Sequence, residues 1–381
     1  MQQMIRDFLN DNTSALKALL KELCLIPAPS HAEDARAAFC KKWLTEIGAE
    51  GVYIDEAKNV IFPLHCENSN AITVIAAHTD TVFPDTSPMP YREENGRIYS
   101  PGVGDDTASL AVMMTAVKFF VQNRIVPRDG LLFVCNSCEE GLGNLYGTRT
   151  LMQEYHGRIK QFVSFDSSKF STMYTTCVGS HRYEVEALTA GGHSFSAFGK
   201  RSAVLSLAEM ISAIYSIELP QKAGTKTTFN VGTIEGGTSV NTIPQNAKML
   251  CEYRSNDLEC LEYMKEKFRQ IFESANCEHT KVVVTQVGDR PCAGNVNAEH
   301  MATLRETCRR VIEETTKASV KESLASTDCN IPLSLGIPAV CIGTYRGAGA
   351  HTREEYIEEA SLPTGLEIAI KVIAALGEME I

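Results

Sequence analysis

Residues 72–80 read ITVIAAHTD. A short β-branched run, apolar on both sides, stops at a histidine. Such a run predicts a strand buried on both faces, which is typical of a parallel sheet covered by helices. The design recurs along the chain. LLFVCNSCEE (131–140) ends on Glu139 and Glu140, QFVSFD (161–166) ends on Asp166, and PAVCIG (338–343) leads toward His351. Helical patterns lie between these runs, notably 107–123. Strands alternating with helices predict an α/β fold with a mostly parallel sheet. Ligands of such sheets sit beyond the carboxyl ends of the strands, and there this chain puts His, Glu and Asp.

Between 178 and 289 the pattern changes. HRYEVEALTA, TTFNVGTIEGG, NAKMLCEYRS and KVVVTQVG alternate apolar and polar residues, as antiparallel strands with one solvated face do. Helical stretches at 202–217 and 257–275 separate them. The expectation is one domain made of residues 1–177 and 290–381, with a small α+β domain, 178–289, inserted into it. A length of 381 residues suits about two domains.

Composition narrows the function. With 36 basic against 47 acidic residues, the net charge is −11, and there is no Lys/Arg run. Neither nucleic acid nor an anionic membrane is expected as partner. No apolar stretch approaches the roughly 18 residues of a membrane span. The N-terminal segment carries charges throughout and reads as one or two amphipathic helices, not as a signal peptide. Thirteen scattered cysteines, an odd number, point to reduced thiols and a cytoplasmic location. Cys135 and Cys138 form a CxxC. Without a second such pair it reads as small residues at the end of a buried strand.

The chemistry lies in a set of weak signals. In His78-Thr79-Asp80 the acid and the imidazole point to one side of a strand, so Asp80 can fix the tautomer of a ligating His78. A polar strand end would look the same. In PGVGDDTASLA, Asp105 projects from a glycine-bearing loop, while Asp106 or Thr107 can cap the following helix. Glu139 and Glu140 repel each other unless a strong positive charge lies opposite. Asp166 and His351, the latter in GAGAHTREE, complete the set. Two histidines and several carboxylates at one sheet edge suit a pair of divalent metal ions. Mixed nitrogen and oxygen ligands favour Zn²⁺, with Co²⁺ or Mn²⁺ as alternatives. One spare carboxylate can then act as a base.

In order and spacing, HTD, GVGDD, EEG, a later Asp and a distant His resemble the zinc-dependent exopeptidase and aminoacylase family. That family includes peptidase T, carboxypeptidase G, acetylornithine deacetylase and succinyl-diaminopimelate desuccinylase. GGHSFSAFGK, IEGGTSVNTIP and STDCNIPLSLGIPAV extend the resemblance over essentially the whole chain. The resemblance implies that His78 and Asp166 bind one metal, Glu140 and His351 the other, and that Asp105 bridges them. It implies that Asp80 orients His78 and that Glu139 is the general base acting on a metal-bridging water. It implies a ferredoxin-like inserted domain that serves as lid and makes a homodimer. His193 would reach the neighbouring subunit's site, and Asn241 and Arg254 would hold polar groups of the substrate, often a carboxylate. Alternatively, His193 caps a helix and Arg254 pairs with a local acid. Many relatives carry Lys after the paired acids of the bridging loop, where this chain has Thr107.

The substrate expected first is a short peptide with a free amino group, cleaved as peptidase T does. The runner-up is an N-acyl amino acid. Two other classes fare worse. GLGNLYG (141–147) after a strand imitates a dinucleotide fingerprint, but Glu139 and Glu140 sit where a pyrophosphate would have to bind. A scaffold without activity would be expected to have lost Glu139 or a ligand.

Overall fold

The computed structural model describes residues 2–379. The chain divides into two compact units, Met1–Cys177 with Gly294–Ile381, and Val178–Ala293. The return to the first unit falls at Gly294 because the strand Lys281–Arg290 stays paired to its end, Arg290 opposite Ser180, and Cys292 still packs in the core of the second unit.

The first unit is built on an eight-stranded sheet. Ile72–His78 lies near its centre, parallel to Leu131–Asn136 on one side and to Ile159–Phe165 on the other. Ala339–Ile342 continues the parallel part beyond Ile159–Phe165. Every residue of Ile72–His78 and of Leu131–Asn136 is buried, which is why both run apolar without alternation. The edges are mixed, because Val60–Leu64 and Thr172–Cys177 each pair antiparallel with a neighbour. The helix Ser109–Gln122 is apolar nearly all round and buried along most of its length. The N-terminal segment forms one helix, Gln2–Cys24, which buries Ile5, Phe8, Leu16, Leu19, Leu20 and Leu23.

A second, four-stranded sheet escapes sequence reading. It joins Gly347–Ala348, Tyr356–Glu358, Arg97–Tyr99 and Arg92–Glu94. These strands are too short to show a period, and Arg92–Glu94 is wholly exposed. His351 sits in the loop between the first two of them.

The second unit runs strand, helix, strand, strand, helix, strand, the ferredoxin-like order. Its sheet is antiparallel, in the order Thr227–Gly236, Asn246–Ser255, Gly179–Leu188, Lys281–Arg290. Val185, Ala187, Met249, Cys251 and Tyr253 fill one face, against Leu207, Met210, Leu261, Met264 and Phe268 of the helices Ala203–Tyr215 and Leu258–Ala275. Ser202 and Asp257 cap these helices, accepting the N–H of Leu205 and Cys260.

All thirteen cysteines are free thiols. Cys138 lies beyond the strand that holds Cys135, and its thiol is 3.2 Å from Glu33 Oε1. Among the described residues, no helix is long and apolar enough to cross a membrane.

Candidate metal centre

His78 closes its strand opposite Asn136 of the parallel neighbour. The Thr79 N–H and hydroxyl both donate to the Asn136 carbonyl, at 2.7 and 2.9 Å. The two strands therefore end in register, and the neighbour continues to Glu139 and Glu140. Asp166 follows the strand on the other side and donates its N–H to Ile342 O at 3.1 Å. His78, Glu140 and Asp166 thus end or follow three neighbouring strands of one sheet, and Asp105 and His351 come to them from the segment Val103–Ala108 and from a loop of the second sheet.

Asp105 lies at their middle. Its Oδ1 is 3.1 Å from His78 Nε2, and its Oδ2 is 3.1 Å from His351 Nε2. His351 Nε2 is also 3.2 Å from Glu140 Oε1. Donor atoms of His78, Asp105 and Asp166 lie within 4.8 Å of one another, as do those of Asp105, Glu140 and His351, and those of His78, Glu139 and Glu140. Asp105 thus belongs to two donor groups and offers a different oxygen to each.

Burial and mutual contact shift the protonation of these groups. Burial pushes Glu140 up to about 7, against the opposing hydrogen bond from His351. Burial, with the charges of Asp106 and Asp105, holds Asp166 well above the usual carboxylate range. Asp105 moves the other way: burial would raise it, but His351 and His78 hold it well below that range. Hydrogen bonds to Asp105 and Glu140 carry His351 up to about 10. Acids kept neutral and an imidazole kept charged are what a cluster shows when protons stand in for stronger positive charge. Carboxylate and imidazole are also the donor types that Zn²⁺ takes, so the residues fit a metal pair.

Asp80 lies beside His78, its carboxylate 3.4 Å and its backbone carbonyl 3.0 Å from His78 Nδ1. The carboxylate also accepts the N–H of Glu139 and of Glu140, both at 3.0 Å, and the Ser30 hydroxyl at 2.6 Å. The expectation that Asp106 or Thr107 caps the helix Ser109–Gln122 fails, because that helix has no side-chain cap. Asp106 Oδ2 accepts the N–H of His78 at 3.1 Å, and Thr107 Oγ1 lies 3.3 Å from the buried guanidinium of Arg36. Arg36 also donates to the carbonyl of Thr79 at 2.8 Å, so it ties the two ligand-bearing segments together from beneath.

Other supports have no signal in the sequence. Glu355 accepts the N–H of Gly102 at 2.8 Å, Gly104 at 3.0 Å and Asp105 at 2.8 Å. A side chain at Gly104 would collide with that carboxylate, its Cβ falling 2.7 Å from Glu355 Oε1. Glu33 accepts the N–H of His31 at 3.0 Å and of Cys138 at 3.1 Å.

In the second unit, His193 pairs with Thr242 in a two-stranded ladder, beside Asn241. The Ser194 N–H donates to the Asn241 carbonyl at 2.9 Å. His193 is exposed and accepts the Phe195 N–H at 3.2 Å in a turn, so it caps no helix. Arg254 does pair with a local acid, Glu252, at 2.8 and 3.0 Å.

A family model described as peptidase family M20/M25/M40 matches residues 74–375, from the His78 strand to the last helix. The chain belongs to this family. It is therefore a hydrolase of the peptidase and amidohydrolase kind. Succinyl-diaminopimelate desuccinylase of Bordetella parapertussis is 25% identical over 224 residues, 55% of this chain and 59% of that relative's length. Among solved structures, aminopeptidase PepT of Bacillus cereus superposes with a TM-score of 0.73 at 23% identity, covering 96% of this chain and 99% of that one. The YxeP protein of Bacillus subtilis, described as a dinuclear metal binding peptidase, gives 0.65 at 16% identity, covering 96% and 99%.

Proposed function

We propose that this M20 hydrolase holds two divalent metal ions and cleaves the amide bond of short peptides, as a peptidase T-like aminopeptidase or tripeptidase does. The observation that carries the reading is the position of Asp105, whose two oxygens face His78 and His351. In this reading His78 and Asp166 would hold one ion, Glu140 and His351 the other, and Asp105 would be shared between them. Zinc is the metal favoured by the mixed donor set. When bound, such a pair supplies Lewis acidity to a carbonyl and makes water more acidic.

Glu139 takes a proton from the attacking water and passes it to the leaving nitrogen. Asp80 fixes the backbone from which Glu139 projects. Arg254 and Asn241 hold polar groups of the substrate, and His193 acts on the site of a neighbouring subunit in a homodimer formed through the inserted unit. Support for the homodimer is the edge strand Thr227–Gly236, with exposed Ile234, followed by exposed Val240. A cytoplasmic location suits thirteen unpaired thiols.

The second reading is removal of an acyl group from an N-acyl amino acid, and the resemblance to the desuccinylase favours it. A panel separates the two. Metal-loaded protein is offered di- and tripeptides with a free amino group, and their N-acetylated or N-succinylated counterparts. Cleavage of the free-amino set alone is the expected result. Cleavage of the acylated set alone replaces the first reading by the second.

A further inference from the structure

Glu139 and Glu140 lie on the loop that leads from the strand Leu131–Asn136 to the helix Tyr146–Glu154. Two buried side chains outside this loop each grip both of its ends. Asn59 accepts the Ser137 N–H at 3.0 Å and donates to the Gly147 carbonyl at 2.9 Å. Asp328, fully buried, accepts the side-chain amide of Asn136 through one oxygen and lies 2.5 Å from Thr148 Oγ1 through the other. The loop is closed within itself as well, by Leu145 N–H to Cys138 O at 2.9 Å. The approach of the ends leaves no room at Gly147, where a Cβ would fall 2.4 Å from Asn59 Oδ1.

Asp328 has no ion-pair partner among the described residues, and none of its contacts is an expected metal ligand. Burial, and then the charge of Glu139, pushes it up to about 7. Both of its contacts survive that titration. The ionised form accepts from Asn136 and Thr148, and the neutral form still accepts from Asn136 while donating to Thr148. A buried carboxyl is costly to keep, and these two tethers are what it does.

We propose that Asp328 and Asn59 form a clasp that positions Glu139 and Glu140, with Asp328 as a positioning residue for the hydrolytic step. The inference rests on the reading of Glu139 as the base. Asp328 acts through Asn136 and Thr148, its two hydrogen-bond partners. Its amide counterpart can make both contacts, with its oxygen toward Asn136 and its NH₂ toward Thr148, so geometry and not charge is what the position needs.

The test compares Asp328→Ala and Asp328→Asn in the full chain, by two readouts. Hydrogen exchange of the metal-free protein reports the loop directly. Asp328→Ala should speed exchange in residues 137–147 and leave 72–78 unchanged, and Asp328→Asn should restore protection. In the metal-loaded protein, Asp328→Ala should lower kcat by about 10–100-fold with KM little changed, and Asp328→Asn should stay near wild type. Unchanged exchange in Asp328→Ala, or damage in Asp328→Asn equal to that in Asp328→Ala, would overturn the clasp. If Asp328→Ala does not fold, Thr148→Val removes one tether and Thr148→Ser keeps it. The valine variant should then fall below the serine variant, and equal loop protection in the two contradicts the proposal. Should wild type turn over neither the free-amino nor the acylated set, the reading of Glu139 fails, while the exchange comparison still decides the clasp.

Discussion

The carboxylate of Asp80 accepts the backbone N–H of Glu139 at 3.0 Å, and its other oxygen accepts that of Glu140 at the same distance. One buried acid thus joins the end of the His78 strand to the loop that carries the expected base. Asp80→Ala leaves two buried donors without acceptors, at a cost of about 1–3 kcal/mol each. It should also cost about 10–100-fold in metal affinity or turnover. Urea unfolding of the metal-free variant and a metal titration check the two parts. Wild-type values in both would mean that the loop holds itself.

Glu139→Gln keeps the shape of the side chain and removes the base. Turnover should fall by about 10²–10⁴-fold, while metal content per chain stays that of wild type. Loss of metal together with turnover would make Glu139 a ligand instead.

The shifts at Glu140 and His351 set a pH dependence. Glu140 rises from 4.5 to about 7 through burial, and His351 from 6.5 to about 10 through Asp105 and Glu140. Both groups bind protons more tightly in the folded, metal-free chain than in the unfolded one. Their contribution to stability is therefore full below pH 4.5 for Glu140 and below 6.5 for His351. It is lost as the pH rises through about 7 and about 10. A metal ion must displace these protons, so its affinity should rise with pH. The gain in Tm on adding Zn²⁺ should be larger at pH 8.5 than at pH 6.5, roughly following the loss of the competing protons. Equal gains at both would contradict the protonation pattern.

Glu355 holds the loop from which Asp105 projects, through three backbone N–H groups. Glu355→Ala should destabilise the chain by about 1–3 kcal/mol or more and weaken metal binding. Glu355→Gln retains an acceptor and should fall between the alanine variant and wild type. Chemical denaturation orders the three, and an alanine variant as stable as wild type would show that the loop holds without Glu355.

The sheet edge was legible in the sequence because buried parallel strands run apolar and stop abruptly. Ile72–His78 and Leu131–Asn136 each end an apolar run on a polar residue, His78 and Asn136. The second unit was legible because alternation survives wherever one face is wet, as in Asn246–Ser255. The scaffolding acids were not. Glu33, Asp328 and Glu355 are buried against donors far away in the chain, such as the Cys138 N–H, the Thr148 hydroxyl and the Gly102 N–H, and no local period distinguishes them from surface acids. Asp106 misled for the same reason. An acid ahead of a helix usually caps it, whereas this one is taken by the N–H of His78 across the sheet edge.

The most direct test of the account is a metal titration of the metal-free chain, with hydrolysis of a tripeptide bearing a free amino group followed at each addition of Zn²⁺. Asp105 shared between two donor groups predicts activity that saturates at two ions per chain, and an Asp105→Ala variant that loses both binding and turnover. Full activity in the metal-free sample, or saturation at one ion, would contradict the account.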